Sequence, residues 1–375
     1  IGGIFIVLIL FNDLAAGKKD ENLFLIHIGG YDDTKFGFID ETGQVVIAPQ
    51  FEWARDFSEG LAAVRKNGNK WGFIDKTGKM VINNQFSAAG DFSEGLAVVV
   101  VNGKMGYIDK NGNSVVEPEF VAAGEFSEGM AHVGERKGRN LIFGYIDKKG
   151  QMVITLPPGI SGRKFFNGMA AISCHIEINK KEKNNKDEQP EAKSMPWKLE
   201  SGTFPSEKSK TVEKYGYINK AGEIIIPPQF KYVGDFSEGL AQVRIDKKFG
   251  YIDKTGKKII SPQFDEAGMF SEGLARITIQ DKIGYIDKTG TIKIAPQFAL
   301  AGDFSEGLAR VAVLQKRWFR HSVIKWGYID KTGKMVIKPH YDSANDFSGG
   351  LAEVKVDGAS CYIDKTNKIV WKSAN

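Results

Sequence analysis

The sequence predicts an all-β chain: a tandem array of three-stranded meanders, each about 34 residues long. Three observations predict it. A Gly-aromatic-Ile-Asp/Asn unit recurs with its glycine at 37, 72, 106, 144, 216, 250, 284 and 327, so the basic step is 34 residues and larger steps mark insertions. A second anchor, Phe-Ser-Glu-Gly, begins at Phe57, Phe92, Phe126, Phe236, Phe270 and Phe304. Between the anchors run β-branched segments punctuated by turn residues, and no stretch sustains apolar residues at helical spacing.

In chain order, the first segment is IGGIFIVLILF, nearly continuous apolar sequence from Ile1 to Phe11. It is too short to cross a bilayer as a helix and fits the apolar part of a secretory signal. Residues 1–20 are therefore expected to be a signal peptide, truncated because no basic start precedes it, and the protein to be exported; a buried first strand is the alternative. Residues 24–176 carry repeats 1–4, 177–214 a polar insertion, and 215–372 repeats 5–9.

One unit shows the logic. Leu274–Ile279 is a β-branched run, Gln280–Lys282 a polar tip, and Ile283–Asp287 a second strand. Asp287-Lys288-Thr289-Gly290 is a turn whose glycine takes the left-handed position, and whose aspartate caps backbone N–H groups. Ile292–Ala295 is a third short strand, which Pro296 is expected to end. Asn102-Gly103 makes the equivalent tip of another unit a two-residue hairpin. A connector such as PQFALAGDFSEG leads onward, with Phe304 as a packing knob and Ser305-Glu306-Gly307 as a turn before Leu308. The repeated Glu is expected to serve a local role like that of the turn aspartate.

A lone three-stranded unit buries too little to stand by itself, so neighbours must stack. The array is expected to be open, a solenoid or superhelix, because 34 residues is short for a propeller blade. Closure as an eight-bladed propeller is the alternative.

WGFIDKTGKMVI at Trp71 and WGYIDKTGKMVIKP at Trp326, together with the FSEGLA elements, resemble the bacterial WG-containing (KWG) repeat proteins over residues 24–372. The resemblance implies a surface or envelope-associated binding array and no general enzymatic activity. Trp stands before Gly only at Trp71 and Trp326, with Phe, Met, Tyr or Ile elsewhere, so the position serves packing.

Composition narrows function. Net charge is only +5, too mild to predict nucleic-acid binding. Cys174 and Cys361 lie in strand regions of different repeats and fit buried apolar positions, with no zinc pattern. His27, His132, His175, His321 and His340 show no metal-ligand spacing; His132 and His175, in related strand positions, fit core or edge roles. Acids recurring in every unit are the opposite of a single active site, and DKTG lacks the alternating oxygens of a calcium loop. No catalytic residue, cofactor or metal is predicted, and no transmembrane span.

Function is sought where units differ. From the FSEG glycine to the next GYID glycine, ordinary units span 11 or 12 residues. Gly129 to Gly144 spans 15, Gly307 to Gly327 spans 20, and Gly168 to Gly216 spans 48. All three expansions fall at the tip between the first and second predicted strands, so they are expected to collect along one rim, either as a binding face or as the tolerant end of each unit. The candidates for partner binding are Lys316, Arg317, Trp318, Phe319, Arg320, His321 and Lys325 in one tip, and Arg136, Lys137 and Arg139 in another. Cations interleaved with aromatics suit a protein or glycan partner. The insertion is expected to be disordered, with Met195-Pro196-Trp197 its only apolar island.

Overall fold

The computed structural model describes residues 23–29, 33–177, 211–317 and 320–373. They form nine small antiparallel sheets, called blades 1–9 here. Blade 7 is typical: Glu266–Ala267, Leu274–Ile279, Lys282–Asp287 and Ile292–Phe298, paired in that order. Blade 1 has three strands in the described residues, and every other blade has four.

The open array is not what forms. Blade 9 packs against blade 1: Phe24, Ile26 and Ile39 share a core with Leu351 and Tyr362. Tyr362 Oη donates to the Leu25 carbonyl at 2.8 Å, and the Phe24 and Tyr362 rings lie 5.5 Å apart. The nine sheets therefore close as a propeller-like ring, the alternative to the open array, with one blade more than the eight of that alternative.

The added strand in each blade comes from the connector. Leu300–Ala301, in the middle of PQFALAGDFSEG, pairs with the following strand. Two residues give no alternation in sequence, so the pairing is visible only in space. The proline does not end its strand either. Ile292–Phe298 runs through Pro296 because it is the edge of its sheet, where a missing N–H costs no ladder bond. Register shifts at this edge press its backbone onto the neighbouring glycine. A Cβ on Gly284 would lie 2.5 Å from the Ile294 carbonyl oxygen and 2.6 Å from the Pro296 nitrogen. That contact is why Gly recurs before the aromatic residue.

The repeated side chains hold each blade to the next. Phe304 is buried, its ring 4.9 Å from that of Tyr285 in the preceding blade. Tyr107, Tyr145, Tyr217, Tyr251, Tyr285 and Tyr328 each donate to a carbonyl just before the next blade's Phe, at 2.5–2.8 Å. Serines such as Ser271 donate to the next Phe carbonyl, here Phe304 O at 2.6 Å. Like turns touching like turns all the way along the chain must lie nearest the axis, so the FSEG elements form the inner ring.

The repeated glutamate is not local. Its side chain crosses to the next blade: Glu272 accepts the Gly307 N–H at 3.0 Å and pairs with Lys331 at 3.0 Å. Glu59, Glu94, Glu128, Glu238 and Glu306 do the same with Gly95 and Lys110, Gly129 and Lys148, Gly168 and Lys220, Gly273 and Lys288, and Gly350 and Lys365. All six glutamates sit at positive φ, a conformation that costs a non-glycine residue about 1–2 kcal/mol. The turn aspartates are local as expected. Asp287 Oδ1 accepts the Thr289 N–H at 2.9 Å, and the hydrogen bonds, from the Thr289 hydroxyl first, hold its carboxyl well below the usual range.

The insertion falls inside blade 5. Met169–Glu177 pairs with Thr211–Asn219 across it, so Glu177 and residues 211–214 are strand, and 178–210 lie outside the described residues together with Met195-Pro196-Trp197. The expected signal segment, 1–20, also lies outside them. Both cysteines are free, Cys361 buried and Cys174 half-buried.

Candidate functional site

The FSEG turns join the first and second strands of each blade, and the DKTG turns join the third and fourth. Glu–Lys pairing places both at one end of the ring. The hairpin tips between second and third strands therefore collect at the opposite end, and the expanded tips share that face.

The expansions are longer ladders. In blade 7 the two strands are Leu274–Ile279 and Lys282–Asp287; in blade 8 they are Leu308–Arg317 and Arg320–Asp330. The four added residues carry the blade 8 tip about 13 Å further out. Gln315 pairs with Val323, and Arg317 with Arg320 after a shift of register. Ala131–Lys137 with Asn140–Ile146 makes a smaller projection on blade 4.

The predicted residues fare differently. Trp318 and Phe319 lie outside the described residues; Lys316, Arg317, Arg320 and His321 are placed in the strands by their backbone only. Lys325 is committed to an ion pair with Asp342 at 2.6 Å, which draws that carboxyl down. Lys137 pairs with Glu135 at 3.3 Å, and Arg136 and Arg139 are exposed on the blade 4 tip. Sequence reasoning missed the apolar part of the long hairpin. Leu314 and Ile324 are directly opposed across the ladder and 55% and 42% exposed. These two large aliphatics face solvent side by side on the projecting arm.

A second feature lies in blade 5. Ser161, Ser173 and Tyr215 form one row across the sheet and line a shallow cleft of about 160 Å³ with Arg163 and Glu213. The matching rows are Trp53-Arg65-Trp71 in blade 2 and Tyr232-Arg244-Phe249 in blade 6, which fill the same space with bulk. Small hydroxyl residues leave the hollow. The Arg163 guanidinium stands 5.5 Å from the Tyr215 ring centre. Burial, and then the Glu213 carboxylate bonded to it, raise the Tyr215 phenol. Comparing rows repeat by repeat would have found the site in sequence.

His132 serves packing. His132 stacks on Phe143 at 5.4 Å and accepts the Gly162 N–H; burial pulls its pKa down to about 4, so it stays neutral. His340 Nδ1 lies 2.7 Å from the Lys338 carbonyl. Among the described residues no group of His, Cys and acids is arranged to hold a metal. No helix among them is long and apolar enough to cross a membrane.

A family model described as "WG containing repeat" matches residues 36–69, 71–104, 105–134, 215–249, 249–282, 283–316 and 326–358, more than half of the chain. Among solved structures the chain is similar to apo AztD from Citrobacter koseri, at 13% identity and TM-score 0.40 over 84% of this chain and 94% of that one. It is similar to Porphyromonas gingivalis dipeptidyl peptidase 4 at 10% identity and TM-score 0.49, over 85% of this chain and 59% of that one. The WD40 beta propeller domain of Doa1 matches at 9% identity and TM-score 0.30, over 91% and 96%. No curated protein matches.

Proposed function

Because the chain belongs to the WG-containing repeat family, we propose that it is an exported, non-enzymatic scaffold that binds a protein partner on the face of hairpin tips. The observation that carries this reading is the blade 8 hairpin. It projects beyond its neighbours, presents Leu314 and Ile324 to solvent, and carries the cations and aromatics of 316–321 at its end. Apolar anchors followed in the chain by cations suit a protein surface. Export rests on the apolar stretch from Ile1 to Phe11. The blade 5 cleft favours a second reading, a glycan partner: two hydroxyls, a carboxylate, a guanidinium and a phenol supply the donors and acceptors that sugar hydroxyls need.

Affinity capture from envelope and extracellular extracts tests this. Replacing Lys316–Ser322 by Asn-Gly joins Gln315 to Val323, which already face each other, so the shortened hairpin suits a two-residue turn. Circular dichroism checks that both chains fold. A partner held by the intact chain and lost by the trimmed one is expected. Equal capture by both sinks the hairpin as the binding element.

A further inference from the structure

Six seams of the ring share one carboxylate site, made by the blade on the receiving side. Two successive left-handed residues, such as Glu306 at φ 53° and Gly307 at φ 86°, turn backbone N–H groups toward a common point, and a lysine from the DKTG turn of the same blade covers it. Such nests hold anions. In each case the anion is the glutamate of the preceding blade.

Blade 6 builds the same receiving half. Glu238 and Gly239 have φ of 51° and 89°. The Asp253 turn that carries Lys254 is capped as in its neighbours, with Asp253 Oδ1 accepting Thr255 N–H at 2.9 Å and Lys257 N–H at 3.0 Å. Yet blade 5 reads Phe166-Asn167-Gly168 where its neighbours read Ser-Glu-Gly. Asn167 has no carboxylate, and its Nδ2 donates to the Phe236 carbonyl at 2.9 Å, the bond a serine makes elsewhere. Among the described residues Gly239 N–H has no acceptor and Lys254 no acidic partner. Gly239 is exposed, whereas the glycine at this position is half-buried in every other described FSEG-type turn.

We infer that the Gly239 N–H and the Lys254 ammonium form a receptor for a carboxylate brought by another molecule, a chain end or acidic side chain of a partner protein. This site is on the face opposite the hairpin tips and stands independently of them.

Sodium acetate is the probe, titrated into the full chain at constant ionic strength while amide resonances are followed by NMR. The Gly239 resonance is expected to move and saturate, with those of Gly273 and Gly307 unmoved. Lys254→Gln weakens the response about tenfold, the effect of losing one charge-assisted bond. Asn167→Glu supplies the carboxylate from within, as at the six sister seams, so it abolishes the response and raises the thermal midpoint. A Gly239 resonance indifferent to acetate, or one that moves equally in Lys254→Gln, overturns the proposal. So does inorganic phosphate binding more tightly than acetate, which would make the site a phosphate receptor.

Discussion

The seam between blades 8 and 9 and the seam between blades 9 and 1 join similar sheets with different chemistry. The first carries a full set of contacts: Tyr328 to the Asn345 carbonyl, Ser305 to the Phe347 carbonyl, and Glu306 to Gly350 and Lys365. At the second, Gly349 stands where the glutamate would be and Glu41 where the lysine would be. Among the described residues this seam has Tyr362 bonded to the Leu25 carbonyl and the apolar cluster around Phe24. The ring can therefore close without the ion pair. Among the described residues the apolar cluster and the Tyr362 hydrogen bond join the two ends of the array, and the glutamate–lysine pair adds order to seams whose order the covalent chain already enforces.

The largest expected effect tests the glycine before the aromatic residue, whose environment differs between inner blades and the last. In Gly284→Ala the new Cβ meets backbone at 2.5 Å, which cannot move without breaking the edge strand. A loss of about 3 kcal/mol follows, at the upper end of overpacking costs. Blade 9 has Cys361 there, facing the short edge strand Ile369–Lys372. Cys361→Ala should cost only about 1 kcal/mol. Denaturant midpoints of the two variants decide it: equal losses would remove the bulge as the reason for the glycine.

A smaller effect compares the seams directly. Tyr328→Phe and Tyr362→Phe each leave one shielded carbonyl without its donor, at about 1–2 kcal/mol. Hydrogen exchange should separate them. In Tyr362→Phe faster exchange is expected in blades 1 and 9 together, since Gly349 and Glu41 give that seam no glutamate–lysine pair. In Tyr328→Phe the glutamate–lysine pair keeps protection in blades 8 and 9. Matching exchange patterns would mean that the ion pair contributes nothing to seam order.

Much of this was legible in sequence, and the failures have a physical pattern. The second and third strands, the left-handed glycines and the aspartate caps follow from local rules and form as those rules demand. The glutamate of FSEG looks local in sequence because its partners lie more than thirty residues on, in the next repeat. One signal could have corrected this. The glutamate and the lysine of the following repeat are lost together at the closing seam, as Gly349 and Glu41, which points to contact. Closure was out of reach for a different reason. Open and closed arrays share every contact between blades successive in sequence and differ by a small angle per repeat; the contact of blade 9 with blade 1, as in Phe24 against Tyr362, distinguishes them. At the candidate site the basic tip was visible as charge, but Leu314 and Ile324 were not, because strand residues on a half-buried sheet look like core until the hairpin is seen to project.

The smallest expected effect is the pH dependence of the glutamate latch. Burial works against the Glu238 carboxylate, but the bonds from Lys288 and the Gly273 N–H outweigh it, and its pKa lies below the ordinary value of 4.5. A carboxyl whose folded pKa is depressed contributes stability above its unfolded pKa and loses it as pH falls through the folded one. Asp303 and Asp346 run the other way. Burial raises both against the pull of Arg276 and Arg310, so their share is greatest below the ordinary value of 3.8 and fades as pH rises through the folded pKa. Glu238→Gln should therefore flatten the acid limb of thermal stability below pH 4.5 by a few tenths of a kcal/mol, the scale of a half-exposed ion pair. The same substitution in a chain already carrying Lys288→Gln should change the limb much less. An unchanged limb in Glu238→Gln alone would mean that the latch sets the geometry of the seam without contributing to its stability.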